Sequence, residues 1–202
     1  MSQILDEPVV SETPRVRIRS LMSTDFEGLQ RIWADPAVMR HMAIPTMTEE
    51  EASEAFSKLR SPDDYVRRAH RFAIVRQADD AVVGTFGLDL ERFSSAYAHS
   101  MVTASETWGT GLAREAYHLL LRLAFEDIGV RRVWTACATT NERARNLILR
   151  MGYSQYGTIR EYVRREERPI DCHTFSYLKP EWCAHQLAMG NPITEVIKSQ
   201  TT

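Results

Sequence analysis

A chain of 202 residues suits one domain with a sizeable core. Its 44% hydrophobic and 26% charged residues are ordinary for a globular protein and exclude disorder throughout. With 25 basic against 27 acidic side chains the net charge is −2, so no global basic field exists to hold nucleic acid or an anionic membrane.

Residues 1–14 carry acids, hydroxyls and two prolines without periodicity, and read as a flexible N-terminal tail. Val16 and Ile18 alternate with Arg15, Arg17 and Arg19, the period of a strand. Thr24 to Glu27 reads as a capping box opening a helix with Phe26, Leu29, Ile32 and Trp33 on one face, ended at Asp35-Pro36. A second box, Thr48 to Glu51, opens a helix with Ala52, Ala55, Phe56 and Leu59 inward. Residues 72–75 and 82–88 flank a turn at 78–81 as a hairpin, and a further strand is expected over 97–103.

From Leu112 the period changes to helical, through Ala116, Leu119, Leu120 and Leu123 to a stop at Gly129. Residues 130–138 read as a strand. Asn141 opens a helix with Ala144, Leu147, Ile148 and Met151 inward, closed by Gly152. Two closing strands follow over 153–163 and 170–178, then a weakly patterned tail with a short helix near 182–189. The order β-α-α-β-β-β-α-β-α-β-β is one α/β (α+β) domain. Its sheet is mixed and mostly antiparallel, with a parallel pair across the helix between 97 and 138.

Trp108-Gly109-Thr110-Gly111-Leu112-Ala113 lies between a strand and the strongest helix. Two glycines there let backbone N–H groups approach a ligand, and the helix N-terminus favours an anion, so the segment suits a phosphate or pyrophosphate. An ordinary tight turn would show the same pattern. A Walker loop is excluded, since Gly-Lys-Ser/Thr is missing, and Arg114 stands where a dinucleotide fingerprint needs its third glycine. Asn141 fits both a helix N-cap and an amide reaching an extended ligand. Cys137, Cys172 and Cys183 form neither CxxC nor a metal-ligand pattern, so a reducing compartment and no metal are expected. No apolar run nears the roughly 20 residues of a membrane span. The first residues lack the basic and apolar regions of a secretory signal, and a cytoplasmic location is expected.

Strand, Trp-Gly-Thr-Gly-Leu-Ala, long helix, strand, Asn-x-x-Ala, helix and Met151-Gly152-Tyr153 together resemble a GNAT-fold N-acetyltransferase. Trp33 to Met39 and Tyr177 to Trp182 narrow the likeness to the ribosomal-protein N-terminal acetyltransferase (RimJ/RimL) type. The resemblance covers about residues 15–182, leaving 183–202 as a C-terminal tail. It implies acetyl-CoA as donor, with the pyrophosphate on the backbone of Trp108, Gly109, Thr110, Gly111, Leu112 and Ala113. It places the pantetheine arm along Met101, Val102 and Thr103, and a polar contact at Asn141, with Asn146 as a second candidate. The implied partner is an amine acceptor, either a protein N-terminus or a small molecule. A homodimer is consistent with the resemblance, since relatives are often dimers.

Two positions depart from the pattern: many relatives carry Glu where this chain has Ala98, and some carry Tyr where it has Ile148. Substitutes for the acid and base are His99 and Ser100 on the same strand, Glu91 with Asp89 at the preceding strand end and Asp171 on a late strand, with His173 beside it. Strict alternation puts Ser100 on the face of Ala98 and His99 opposite; a bulge would exchange them. Cys137, on a core strand, is expected to be inert. Residues 36–70 are expected to cover the acceptor cleft, where His41, Met42, Met47 and Tyr65 suggest a partly apolar lining. Acetyl transfer from acetyl-CoA to a primary amine is one reading; a coenzyme-binding sensor that has lost its acid and base is the alternative.

Overall fold

The computed structural model describes residues 10–42, 44–60, 69–165 and 168–190. Strands β1 (Val10–Glu12) and β2 (Val16–Ser20) precede helices α1 (Phe26–Trp33), α2 (Pro36–Met39) and α3 (Glu49–Leu59). Strands β3 (Ala69–Arg76), β4 (Ala81–Leu90) and β5 (Ser95–Thr103) lead into helix α4 (Leu112–Arg122) and strand β6 (Arg132–Ala138). Helix α5 (Glu142–Arg150), strands β7 (Ser154–Arg165) and β8 (Arg168–Leu178) and helix α6 (Lys179–Ala188) complete the chain order.

The strands form one sheet in the order β1-β2-β3-β4-β5-β6-β8-β7. Only β5 and β6 run parallel, because α4 carries the chain back across the sheet between them. This is the mixed, mostly antiparallel arrangement expected. The sheet divides the core in two. On one face Leu112, Ala116, Leu119 and Leu120 of α4 pack with Ile148 of α5 and Trp182 of α6 over Phe72, Phe86, Leu88 and Ala98. On the other, Leu29, Ile32 and Trp33 of α1 pack with Ala52 and Phe56 of α3 and with Val102. Each such buried large side chain contributes roughly 1.5–3 kcal/mol.

Several local readings differ from the sequence expectation. The stretch read as a tail contains β1, which pairs with β2 from Val10↔Arg19 to Glu12↔Arg17. At the other end the expected short helix forms as α6 but starts at Lys179, before the expected residue 182. The rest of both expected tails, residues 1–9 and 191–202, lies outside the described residues, as does Tyr65. Thr24 caps nothing. Asp25 instead accepts the Met22 N–H at 2.7 Å and holds Arg19 with both oxygens at 2.7 Å. Asp35-Pro36 does end α1, but Asp35 also accepts from the Ala37 N–H and so starts α2. The second capping box forms as read, with Thr48 and Glu51 bonded reciprocally.

Candidate active site

Strands β5 and β6 pair only from Ser95↔Arg132 to Tyr97↔Trp134, although β5 continues to Thr103 and β6 to Ala138. Past Tyr97 the sheet therefore splays, and among the described residues no strand lies beside the β6-facing edge of β5. Such an edge pairs readily with an extended amide-bearing ligand. On its other side β5 carries a bulge: Gly87 pairs with His99 and Thr85 with Val102, so Phe86 faces two residues, Ser100 and Met101. Ser100 takes a left-handed φ of 53°. The bulge moves Met101 to the α4 face and Val102 to the α1 face, and it leaves Ser100 exposed at the splay.

β5 leads into the glycine turn. Gly109 and Gly111 have φ of 78° and 87°, conformations that L side chains resist. A Cβ on Gly109 would meet nothing within 4 Å, so the turn offers open space above its backbone. Thr110 Oγ donates to the Thr107 carbonyl at 2.6 Å and accepts the Leu112 N–H at 3.3 Å. Arg15 donates to the Thr110 carbonyl at 2.7 Å and pairs with Glu115 at 2.8 Å, tying the turn to β2 and α4. Asn141 caps α5, accepting the Ala144 N–H at 3.0 Å. Asn146 is exposed on α5. The guanidinium of Arg143, in the first turn of α5, lies 3.6 Å from the ring centroid of Trp108, which joins the start of α5 to the glycine turn. An anionic group with an extended amide arm fits these elements: open glycine backbone at a helix start, then an unpaired strand edge leading away from it.

Where the edge opens, the α1 face of the sheet carries a polar cluster. His99 Nε2 is 3.1 Å from Asp89 Oδ2, and His99 Nδ1 is 2.9 Å from Ser100 Oγ. Arg71 of β3 reaches Asp89 Oδ1 at 2.6 Å. The imidazole stacks on Tyr97 at 4.9 Å, and Tyr97 stacks on Trp134 at 4.1 Å. Burial, helped by a hydrogen bond with Tyr162, raises the Tyr97 pKa far above its ordinary value, so its hydroxyl stays neutral.

The cluster gathers only some of the candidate acid or base residues. His99 and Ser100 are in contact. Glu91 is elsewhere: its backbone bonds to Ser95, and its carboxylate accepts from Trp134 Nε1 at 2.9 Å. Ser95 is four residues before His99, about 13 Å along a strand. Asp171 lies two strands away on β8, where it accepts the Glu161 N–H at 2.8 Å and supports a bulge in β7. His173 is bonded to Gln155 and Thr158 on the neighbouring strand. Asp89, named with Glu91 at the end of the preceding strand, joins the cluster, and so does Arg71, which the sequence did not single out as a site residue. The signal was in the register: a pairing that sets Arg71 opposite Gly87, and Gly87 opposite His99, puts all three on one face. Ala98 and Ile148, the two positions where the sequence departs from the expected pattern, are 1% and 6% exposed in the apolar core beneath α4. A carboxylate at position 98 would be buried there without a partner, at a cost of several kcal/mol. Burial also pushes the Cys137 thiol up to about 11, and it is no nucleophile.

The segment after α2 is tied to the β7–β8 hairpin. Arg165 of β7 donates to the carbonyls of Met39 and Arg40. Burial lowers the His41 pKa, with further lowering from Arg40, Arg143 and Arg165 nearby. Among the described residues there is no group of side chains that could hold a metal ion, and no helix is long and apolar enough to cross a membrane.

The family model for the acetyltransferase (GNAT) domain matches residues 15–154, and the chain belongs to that family. It is an N-acetyltransferase that uses acetyl-CoA. It is 26% identical to the uncharacterized N-acetyltransferase p20 of Bacillus licheniformis, over 84% of this chain and 96% of that one. A GCN5-related N-acetyltransferase from Brucella melitensis superposes with a TM-score of 0.80 at 21% identity, over 91% of this chain and 85% of that one. The spermidine N-acetyltransferase of Vibrio cholerae, solved with CoA and spermine, superposes with a TM-score of 0.71 at 19% identity, over 85% and 99%.

Proposed function

We propose that the chain transfers acetyl from acetyl-CoA to a primary amine by direct attack in a ternary complex, with Ser100 and His99 receiving the amine proton. The observation that carries this reading is the meeting of the splayed β5 edge, the glycine turn and the Ser100–His99 pair within one stretch of chain. The backbone of residues 108–113 would receive the pyrophosphate, residues 101–103 the pantetheine arm, and Asn141 and Asn146 would add polar contacts. The coenzyme supplies an acetyl group already activated as a thioester. What remains for the protein is to align the amine, polarise the carbonyl with strand N–H groups and remove a proton.

The acceptor is either a protein N-terminus, as the RimJ/RimL resemblance suggests, or a small amine. Arg40, Arg143 and Arg165 gather near His41 on the proposed acceptor side and oppose a polycation there, so a polyamine such as spermidine is expected to be a poor acceptor. A cytoplasmic location and a homodimer belong to the same reading and rest on the resemblance.

The test is thermal unfolding with and without acetyl-CoA, followed by thiol release with a panel of peptide N-termini, amino acids, small amines and spermidine. Ligand at about 100 times Kd stabilises by ~2.7 kcal/mol, a Tm rise of roughly 5–11 °C for a domain of this size. No rise in coenzyme-free protein would overturn the donor assignment. A rise without transfer to any amine would support the non-catalytic binder instead.

A further inference from the structure

We propose that Asp89 and Arg71 are positioning residues that hold the His99 ring with its proton on Nε2 and its Nδ1 lone pair on Ser100. This deepens the reading in which Ser100 and His99 receive the amine proton, and rests on it. The argument is geometric. Asp89 divides its two oxygens, Oδ1 to Arg71 at 2.6 Å and Oδ2 to His99 Nε2 at 3.1 Å. A carboxylate accepts only, so its place 3.1 Å from Nε2 favours the proton on that nitrogen, and in the proposed tautomer Nδ1 is the acceptor for the Ser100 hydroxyl. His99 Nε2 is buried and makes no well-aligned hydrogen bond among the described residues; the Asp89 carboxylate, 3.1 Å away, is its ion-pair partner on that side of the ring.

The ring reaches Asp89 by lying across β4 at Gly87. A Cβ there would come within 2.6 Å of both Cε1 and Nε2 of His99 and 3.1 Å of Arg71 Nη1. Any other residue at position 87 would push the imidazole off its partner. Tyr97, stacked at 4.9 Å, supports the ring from the side.

During transfer the amine nitrogen forms its bond to the acetyl carbon, and the C–S bond breaks with its electron pair leaving on sulfur. An amine proton passes to Ser100 Oγ as the Ser100 hydroxyl proton passes to His99 Nδ1. The resulting imidazolium faces the Asp89 carboxylate and later returns its proton to solvent, from which the thiolate is protonated. Arg71 attracts Asp89 and therefore weakens its stabilisation of the imidazolium, so its part is to fix the carboxylate plane. A carboxylate left to rotate would not hold one tautomer.

Long-range 1H–15N correlation on uniformly 15N-labelled protein at about pH 8.5, where free imidazole is neutral, reads the tautomer directly. Wild type, Asp89→Ala, Asp89→Glu and His99→Gln are compared, the last identifying the His99 signals. The expected wild-type ring is protonated on Nε2, and Asp89→Ala mixes the tautomers. With the best acceptor of the panel, Asp89→Ala is expected to lower kcat about 100-fold and leave KM for acetyl-CoA within about twofold, with partial recovery in Asp89→Glu. A wild-type ring protonated on Nδ1 overturns the proposal even if no variant folds. So does an Asp89→Ala protein with unchanged tautomer and kcat. If His99→Gln keeps the wild-type kcat while the wild-type ring sits on Nε2, the proton-acceptor reading fails and the orienting role stands.

Discussion

Half-burial would raise the pKa of Asp89, yet the neighbouring His99 and Arg71 outweigh it and hold the carboxylate below its ordinary value. A group whose folded pKa is depressed adds stability that is present above the unfolded pKa, about 3.9, and is lost as pH falls through the folded value. Wild type is therefore expected to exceed Asp89→Asn in stability at neutral pH, with the gap closing below about pH 4. Urea unfolding of both proteins from pH 7 to pH 3 measures it; a gap independent of pH would mean the ion-pair cluster adds nothing to folding. Cysteine chemistry is set by the same competition of burial and charge. Burial raises the thiols of Cys137 and Cys172, while Cys183 is only partly buried. One rapidly labelled thiol per native chain is expected, counted by mass after brief exposure to an alkylating reagent, and three after unfolding.

β4 is a central strand whose glycine at 87 does what no side chain there can. With His99 lying over it, Gly87→Ala is expected to displace the imidazole and lower kcat by at least tenfold, while acetyl-CoA still raises Tm. Gly109→Ala is the complementary change. Nothing lies near its Cβ, so its effect comes from the left-handed φ of 78°, a strain of about 1–2 kcal/mol. The turn would relax away from its ligand-bearing shape, so here acetyl-CoA affinity is expected to fall while the His99 signals stay in place. Calorimetric titration separates the two variants, and equal losses of affinity in both would refute this division of labour between strand and turn.

Across the molecule, three links draw separate elements around the cleft. Arg143 stacks on Trp108, Ser105 donates to Asp35 at 2.7 Å, and Arg165 holds the carbonyls of Met39 and Arg40. The first joins α5 to the glycine turn, the second joins α2 to the loop after β5, and the third pins the α2 end to the β7–β8 hairpin. The third touches only the end of α2, which is proposed to lie on the acceptor side. Arg165→Ala is expected to raise KM for the amine severalfold with KM for acetyl-CoA unchanged, as steady-state kinetics with each substrate varied would show. A matching rise in both constants would place Arg165 in the coenzyme site instead.

Much of this was readable along the chain, because it depends on near neighbours. The helical period of α4, the two glycines before it, the Asn141 cap and the β3–β4 hairpin are all patterns within a few residues. The parallel β5–β6 pair followed from the helix between them. Register and cross-strand reach were not readable. β1 is three residues long and exists through its pairing with β2. Thr24 had the right spacing for a cap, but Asp25 won through Arg19 on the neighbouring strand. One extra residue at Ser100 reverses the facing of everything after it in β5, which alternation cannot foresee. Arg71, Gly87, Asp89 and His99 meet because three strands align, so the chemistry of each was visible in the chain, but their partnership arises only when the sheet forms.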